Sequence, residues 1–316
     1  ISGEQIGKGK RTSSNLYVLK EESQNKCLLT KDEEANLWHK RLGHICDKNL
    51  AKLNNWNGVR DLPQIKRLRD EMCSSCQKGK QTVSHQKTKE FYSGRPLELI
   101  HTDLCGPMRT QALSGEYYFM LFIDDYTRMT WVSFLKKKNE TLECLKIFKR
   151  EIENSIGKKI KSIRADQGSE FTWNAFTSYC KKHGIRLQHS CVRTPQQNGV
   201  VERKNRTVVE MARTMLIDSN LSKMFWKEAV GTAVHIQNRC LFWPHTHKTP
   251  YELWYGRTPT VKYFRVLGSK CFIKNKNENV GKFEDKAYEG ILLGYSTKSK
   301  GYKCYNKYLK KIVEST

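Results

Sequence analysis

Apolar residues in the middle of the chain gather into short runs that alternate with helically spaced stretches. Residues 97–103 read as a strand ending in an acid, Asp103, with Leu104-Cys-Gly-Pro107 breaking it at once. Residues 117–124 and 129–135 are two further apolar runs joined by Asp125-Tyr-Thr-Arg128, and they predict a hairpin. Leu142, Leu145, Ile147, Phe148 and Ile152 then recur at helical spacing across 139–156. Residues 159–166 again form a strand closed by an acid, Asp166, and a turn follows at Gln167-Gly168. A helix over 171–183 closed by Gly184 and a short strand over 185–190 come next. Thr194-Pro-Gln-Gln-Asn-Gly199 then turns into a basic helix with Glu202 at its start. Strands followed by alternating helices predict a mixed α/β sheet, with active groups at strand ends and on the helix docked beside them.

The flanks carry different patterns. Before the sheet, Leu50, Leu53, Trp56, Val59 and Leu62 recur at three-residue steps and read as core-facing helix and turn. Residues 77–90, rich in lysine and poor in apolar side chains, read as a linker. Residues 1–14 are a Gly, Lys and Ser-rich lead-in, followed by a strand-like run at 15–20. After the sheet, 224–240 is a long apolar-periodic helix, and 249–256 a helix started by Pro250 and closed by Gly256, its aromatic residues packing. Strand candidates at 264–272, 291–295 and 302–305, with Gly and Lys between them, predict a small barrel of the SH3-like kind. The resulting partition is a lead-in (1–31), a small helical unit with its linker (32–90), an α/β core (91–220), a helical extension (221–260) and a basic β unit (261–316).

Composition narrows the function class. Against 32 acidic residues the chain sets 57 Lys and Arg, a formal charge of +25 in 316 residues, which favours a polyanionic partner and above all nucleic acid. Lys298, Lys300, Lys303, Lys307, Lys310 and Lys311 concentrate that charge at the C-terminal end, where phosphate contact is expected. No apolar run approaches the roughly 20 residues of a membrane span, so no membrane role and a soluble, intracellular protein are expected. Eleven scattered cysteines do not form a secreted disulfide framework. The first residue is Ile1 and the first methionine Met72, as in a processed product or a piece of a longer polypeptide.

Two metal sites are predicted. His39 and His44, with four residues between them, precede Cys73 and Cys76, with two between, which is a Cys2His2 set for one tetrahedral, structural Zn2+ that would compensate for the small core of a unit of this size. Asp103, Asp166 and Glu202 form the second set. Three carboxylates brought together repel one another, and the usual remedy is a pair of divalent cations, Mg2+ or Mn2+ for oxygen-only ligands. Asn205, Arg206, Val209 and Arg213 share the helical face of Glu202, while Val201, Val208, Met211, Ala212 and Met215 form a core face. Asn205, Arg206 and Arg213, with Lys204, Gln197 and Asn198, are the predicted DNA-contacting residues, and the turn before Gly199 the lip of the site. Of the other candidates, Asp125 reads as a turn-former, Asp124 as a support for the metal ligands and Glu170 as a helix cap. His101, His183 and His189, which lack paired spacing, read as packed or surface residues.

With Asp103-Leu-Cys-Gly-Pro107, Phe122-Ile-Asp-Asp-Tyr-Thr-Arg128 and Thr194-Pro-Gln-Gln-Asn-Gly-Val-Val-Glu-Arg203 added to the two ligand sets, the chain resembles the integrase of a Ty1/copia-type LTR retrotransposon over nearly its whole length. The resemblance implies an RNase H-like catalytic core between a zinc-binding N-terminal unit and an SH3-like C-terminal barrel. It implies an enzyme that trims the element's DNA ends in some members and joins their 3′ hydroxyls to target DNA. Asp103, Asp166 and Glu202 would be the catalytic Mg2+ ligands, and His39, His44, Cys73 and Cys76 the Zn2+ ligands. The implied partners are double-stranded DNA, both element ends and target, and further copies of the chain. The implied location is the nucleus, after a cytoplasmic particle stage. Gln167 departs from the family's usual Asn and could weaken the local turn. A purely hydrolytic nuclease of the same fold and a catalytically silent nucleic-acid-binding remnant are the alternatives.

Overall fold

A computed structural model describes residues 9–11, 17–19, 31–65, 73–80, 93–189, 199–243, 246–275, 283–296 and 299–315. Strands β1 (Gly9–Arg11) and β2 (Tyr17–Leu19) pair antiparallel. Three helices follow, α1 (Lys31–Arg41), α2 (Asp47–Asn55) and α3 (Ser74–Gly79). Because α3 takes in Gln77 to Gly79, these residues are helix and not linker.

The central sheet is built from β3 (Leu99–Cys105), β4 (Tyr118–Asp124), β5 (Thr130–Leu135), β6 (Ser162–Ala165) and β7 (Arg186–His189), in the order β5-β4-β3-β6-β7. The first three are antiparallel, while β6 and β7 add in parallel beyond β3. Helices α4 (Thr141–Ile156), α5 (Ser169–Thr172) and α6 (Asn174–Lys182) lie between the later strands. Residues 171–183 are therefore split, with the break at Trp173, whose backbone is extended. Strand β3 also runs two residues past Asp103, which pairs with Leu121 inside the ladder, and the chain leaves the sheet only at Gly106-Pro107.

Strand β4 is buried on both sides, and its alternation sends Phe119, Leu121 and Ile123 to one face and Met120 and Phe122 to the other. The second face packs with Leu145, Phe148 and Ile152 of α4 and with Phe176 of α6; Ile147 of α4 is exposed instead. The first face packs against α7 (Gly199–Asp218) and α8 (Trp226–Cys240). Val201, Val208, Met211, Ala212 and Met215 of α7 are all buried there, as the predicted core face requires. The same cluster takes in Trp38, Leu42, Leu50, Leu53 and Val59, so the N-terminal helices share the core of the sheet and do not close one of their own. Trp56, expected in that core, is largely exposed.

After α8, Thr249 caps α9 (Pro250–Tyr255) through its side chain and Gly256 ends it in the left-handed conformation. The C-terminal unit is a four-stranded antiparallel meander, β8 (Lys270–Lys274), β9 (Ala287–Tyr295), β10 (Tyr302–Asn306) and β11 (Lys311–Ser315). Residues 264–269 are not strand: Phe264 and Leu267 are apolar because they plug the main core from a loop that turns at Gly268. Strand β9 docks on α8, where Thr232 Oγ1 donates to Leu293 O at 3.1 Å. No helix among the described residues is long and apolar enough to cross a membrane.

The contact between α3 and α7 is close. A Cβ on Gly79 would lie 2.2 Å from Thr214 Oγ1 and 3.1 Å from its Cα. Gly79→Val is expected to cost about 1–3 kcal/mol, the usual penalty for forcing atoms into a packed contact, read as a lower thermal midpoint and faster proteolysis between the N-terminal helices and the sheet.

Candidate active site and metal centre

The parallel register of β3 and β6 matches His101 with Arg164, so Asp103 and Asp166, two residues further on each chain, emerge side by side on one face of the sheet. Two bonds fix the Asp166 loop: the Gly168 N–H donates to Asp166 Oδ1 at 3.0 Å, and His189 Nδ1 meets Asp166 O at 3.0 Å. Asp103 is held from α7, where Asn205 Nδ2 donates to its Oδ2 at 2.7 Å. Glu202 lies one helical turn before Asn205 and is exposed on the same side of α7.

The electrostatics follow from this crowding. Burial, then the charge of Asp166 and to a lesser degree that of Glu202, raises the Asp103 carboxyl to about 7 against the pull of Asn205. Near neutral pH the site thus holds a proton where a cation would relieve the same repulsion. The oxygen-only donors suit a hard divalent ion, and Asn205 Oδ1, on the amide that holds Asp103, is buried without a hydrogen-bond partner.

The second cluster is tighter. Ligand atoms of His39, His44, Cys73 and Cys76 all lie within 4.8 Å of one another. His39 ends α1, a left-handed turn at Gly43 and His44 brings the second imidazole back, and Cys73 and Cys76 bracket the start of α3. Distances assign the donor atoms: Cys76 Sγ is 3.4 Å from His39 Nε2 and Cys73 Sγ 3.5 Å from His44 Nδ1. The other ring nitrogens face outward, His39 Nδ1 to Ile45 O at 2.9 Å and His44 Nε2 to Asp218 Oδ2 at 3.7 Å. Burial and the neighbouring His39 lower His44 to about 3, so it is a neutral imidazole at neutral pH. Asp218 also accepts from Ser75 Oγ and pairs with Lys40, both at 3.2 Å. One carboxylate at the end of α7 therefore braces a His ligand from the side away from the cluster.

Three family descriptions match the chain in succession: GAG-pre-integrase domain at 15–81, integrase core domain at 94–195 and retroviral polymerase SH3-like domain at 269–316. The Retrovirus-related Pol polyprotein from transposon TNT 1-94 of Nicotiana tabacum is 35% identical over 89% of this chain. That from transposon RE1 of Arabidopsis thaliana is 32% identical over 84%. The chain belongs to the integrases of Ty1/copia-type retrotransposon Pol polyproteins. It spans 21% of the length of the first relative and 18% of the second. A solved HTLV-2 integrase catalytic core domain in complex with magnesium is 20% identical, with a TM-score of 0.39, over 50% of this chain and 96% of that one.

Within this integrase the predicted contact residues divide. Arg206 is exposed; Arg213 is exposed too but donates to Gly79 O at 3.3 Å, tying α7 to α3. Asn205 belongs to the acid site, and Lys204 points to the other flank of the helix, where burial and the nearby Arg128 lower it to about 8. Gln197 and Asn198 lie outside the described residues, as does most of the turn before Gly199. The turn after Asp166 keeps its bond to Gly168 with Gln167 in place.

Other expectations change. Asp124 binds Leu97 N, Thr127 N and Thr127 Oγ1, which makes it the staple of the β4–β5 turn. Asp125 is more than a turn-former: it is buried, meets His101 Nε2 at 2.9 Å and pairs with Arg128 Nη1 at 3.2 Å, and these partners hold it down to about 2 although burial opposes this. Glu170 makes no cap bond and sits 4.0 Å from Lys138. Asp218 went unnoticed because nothing in sequence spacing links it to His44.

Two outcomes are expected. Asp218→Ala should weaken Zn2+ binding about 10–100-fold in chelator competition, the usual effect of removing a carboxylate behind a ligating His. Asp103 keeps its proton to about pH 7 in the fold but titrates near 3.8 when unfolded. Between these values the native state binds more protons, so this group's contribution to stability falls as pH rises from about 4 to about 7. Asp103→Asn should therefore raise the thermal midpoint of the magnesium-free integrase at pH 8, with the gain shrinking towards pH 5.

Proposed function

We propose that this integrase is a metal-dependent polynucleotidyl transferase that joins the 3′ ends of element cDNA to target DNA. The observation that carries this reading is the pairing of Asp103 with Asp166 at adjacent strand positions, with Asp103 held protonated by burial and by its acidic neighbours. Two Mg2+ ions, or Mn2+, are the expected occupants, ligated by Asp103, Asp166 and Glu202. When bound, such a pair activates a hydroxyl nucleophile and neutralises charge on the leaving oxygen of a phosphodiester.

The chain's own groups have distinct tasks. Asp103 would give up its proton if a divalent cation were bound, and Asn205 keeps its carboxyl group aimed. The Gly168 N–H orients Asp166. Glu202, exposed in the first turn of α7, supplies the third carboxylate from a second element. The 3′ hydroxyl then attacks phosphorus in line, the new P–O bond replacing the one to the leaving 3′ oxygen of the target. Hydrolytic trimming of the DNA ends is the same substitution with water as nucleophile.

His39, His44, Cys73 and Cys76 are proposed to hold one structural Zn2+, supported by thiolate and imidazole donors at mutual reach. The DNA partner is supported by the charge of +25, and the two DNA ends handled in one reaction favour a homo-oligomer. A chromosomal target implies action in the nucleus, after a cytoplasmic particle stage.

The test is strand transfer of matched element-end oligonucleotides with magnesium. Joined product from the unmodified chain, reduced by at least about a hundredfold in Asp166→Asn and Glu202→Gln, is expected. Glu202→Gln with full joining activity would sink the assignment, and nicking without joining would identify a hydrolytic nuclease.

A further inference from the structure

A second concave site opens on the opposite flank of α7. Val200, Arg203, Lys204 and Thr207 line it from α7, and Gln237 from α8. They lie about 100–200° around the helix from Glu202, so the pocket does not belong to the acid site. Ile123, Arg128, Leu241, Phe242, Trp243 and Pro250 complete a volume of about 310 Å³.

Three features define its chemistry. Its charged groups are all cations, Arg128, Arg203 and Lys204, with no carboxylate in the lining. Planar groups contribute to its wall: the Arg128 guanidinium lies 4.2 Å from the centre of the Trp243 ring, and Phe242 lines the same pocket. Gln237 is fully buried, yet neither Oε1 nor Nε2 has a hydrogen-bond partner. A buried amide with both ends unsatisfied is costly unless a ligand completes it.

We propose that this pocket binds one unpaired nucleotide of a DNA strand, with its phosphate on Arg203 and Lys204, its base on the planar wall, and a base edge on the Gln237 amide. The proposal rests on the reading of the chain as a DNA-joining enzyme. A glutamine amide offers adjacent donor and acceptor, which is what a base edge requires, and aromatic or guanidinium planes take a base face of any sequence. The pocket volume is at the lower limit of ligand sites and excludes a duplex, whose major groove alone is about 12 Å wide. An acidic peptide would place its carboxylates against Arg203 and Lys204 but would leave the planar wall unused.

The experiment uses the zinc-loaded full chain and two duplexes, one blunt and one with a short 5′-phosphorylated single-stranded overhang carrying 5-iododeoxyuridine. The overhang should bind more tightly and photo-cross-link to Phe242 or Trp243. Trp243→Ala and Arg203→Ala should each weaken overhang binding about tenfold and leave the blunt duplex unchanged. Gln237→Leu, which removes the unsatisfied amide, should keep or raise the thermal midpoint while losing the overhang preference. Millimolar dAMP should compete for the cross-link, and unphosphorylated deoxyadenosine should not; equal competition by both would overturn the phosphate assignment. Cross-links elsewhere, equal affinity for the two duplexes, an unchanged preference in Gln237→Leu, or displacement by a Glu-rich peptide but not by dAMP would overturn the proposal alone. Binding to neither duplex would overturn it together with the DNA-joining reading, whereas tight overhang binding without strand transfer would leave it standing.

Discussion

Helix α7 has to bury one face and present charge on two others, and most of the molecule is arranged around that requirement. Val201, Val208, Met211, Ala212 and Met215 anchor it against the sheet, α8 and the N-terminal helices. Each of the Val and Met side chains contributes about 1.5–3 kcal/mol when fully buried, which is ample to hold an exposed acid at a chosen orientation. Glu202 in the first turn and Asp218 in the last are then placed by one rigid body, the first beside Asp103 and the second beside His44. The candidate catalytic site and the candidate zinc cluster are mechanically continuous for this reason.

The N-terminal helices illustrate how a small unit can do without a core of its own. Its apolar side chains enter the main cluster, its Gly79 allows α3 to lie against Thr214, and Arg213 closes the contact through Gly79 O. The His39, His44, Cys73 and Cys76 cluster then brings together the end of α1, the left-handed turn at Gly43 and His44, and the start of α3. At the far side, β9 seats on α8 in a similar way, with Thr232 bonded to Leu293 O.

Charge is handled differently at each site. Asp103 is half-buried among acids and is raised; Asp125 is buried but is lowered, because His101 and Arg128 surround it. Residue type is the same in both cases, so only the partners decide which carboxylate is left in need of a cation.

Much of the fold was legible locally. The apolar runs at 117–124 and 129–135 are short and nearly continuous, and two such runs joined by a four-residue polar turn leave little but a hairpin. The apolar stripe of α7 and the capped helix from Pro250 to Tyr255 follow from spacing and end residues alone. The grouping of His39, His44, Cys73 and Cys76 was legible too, because short spacings bring such side chains together, and so was the pairing of Asp103 with Asp166, because acids interrupting apolar strand runs stand out. What sequence left open was every pairing across distance: Asp218 with His44, Asn205 with Asp103, Asp125 with His101 and Arg128, and the plug of Phe264 and Leu267 that resembles a strand. Periodicity and capping act over a few residues and are written in the chain. Burial and charge compensation depend on which surfaces meet, and that was decided only when the sheet, α7 and the flanking units packed together.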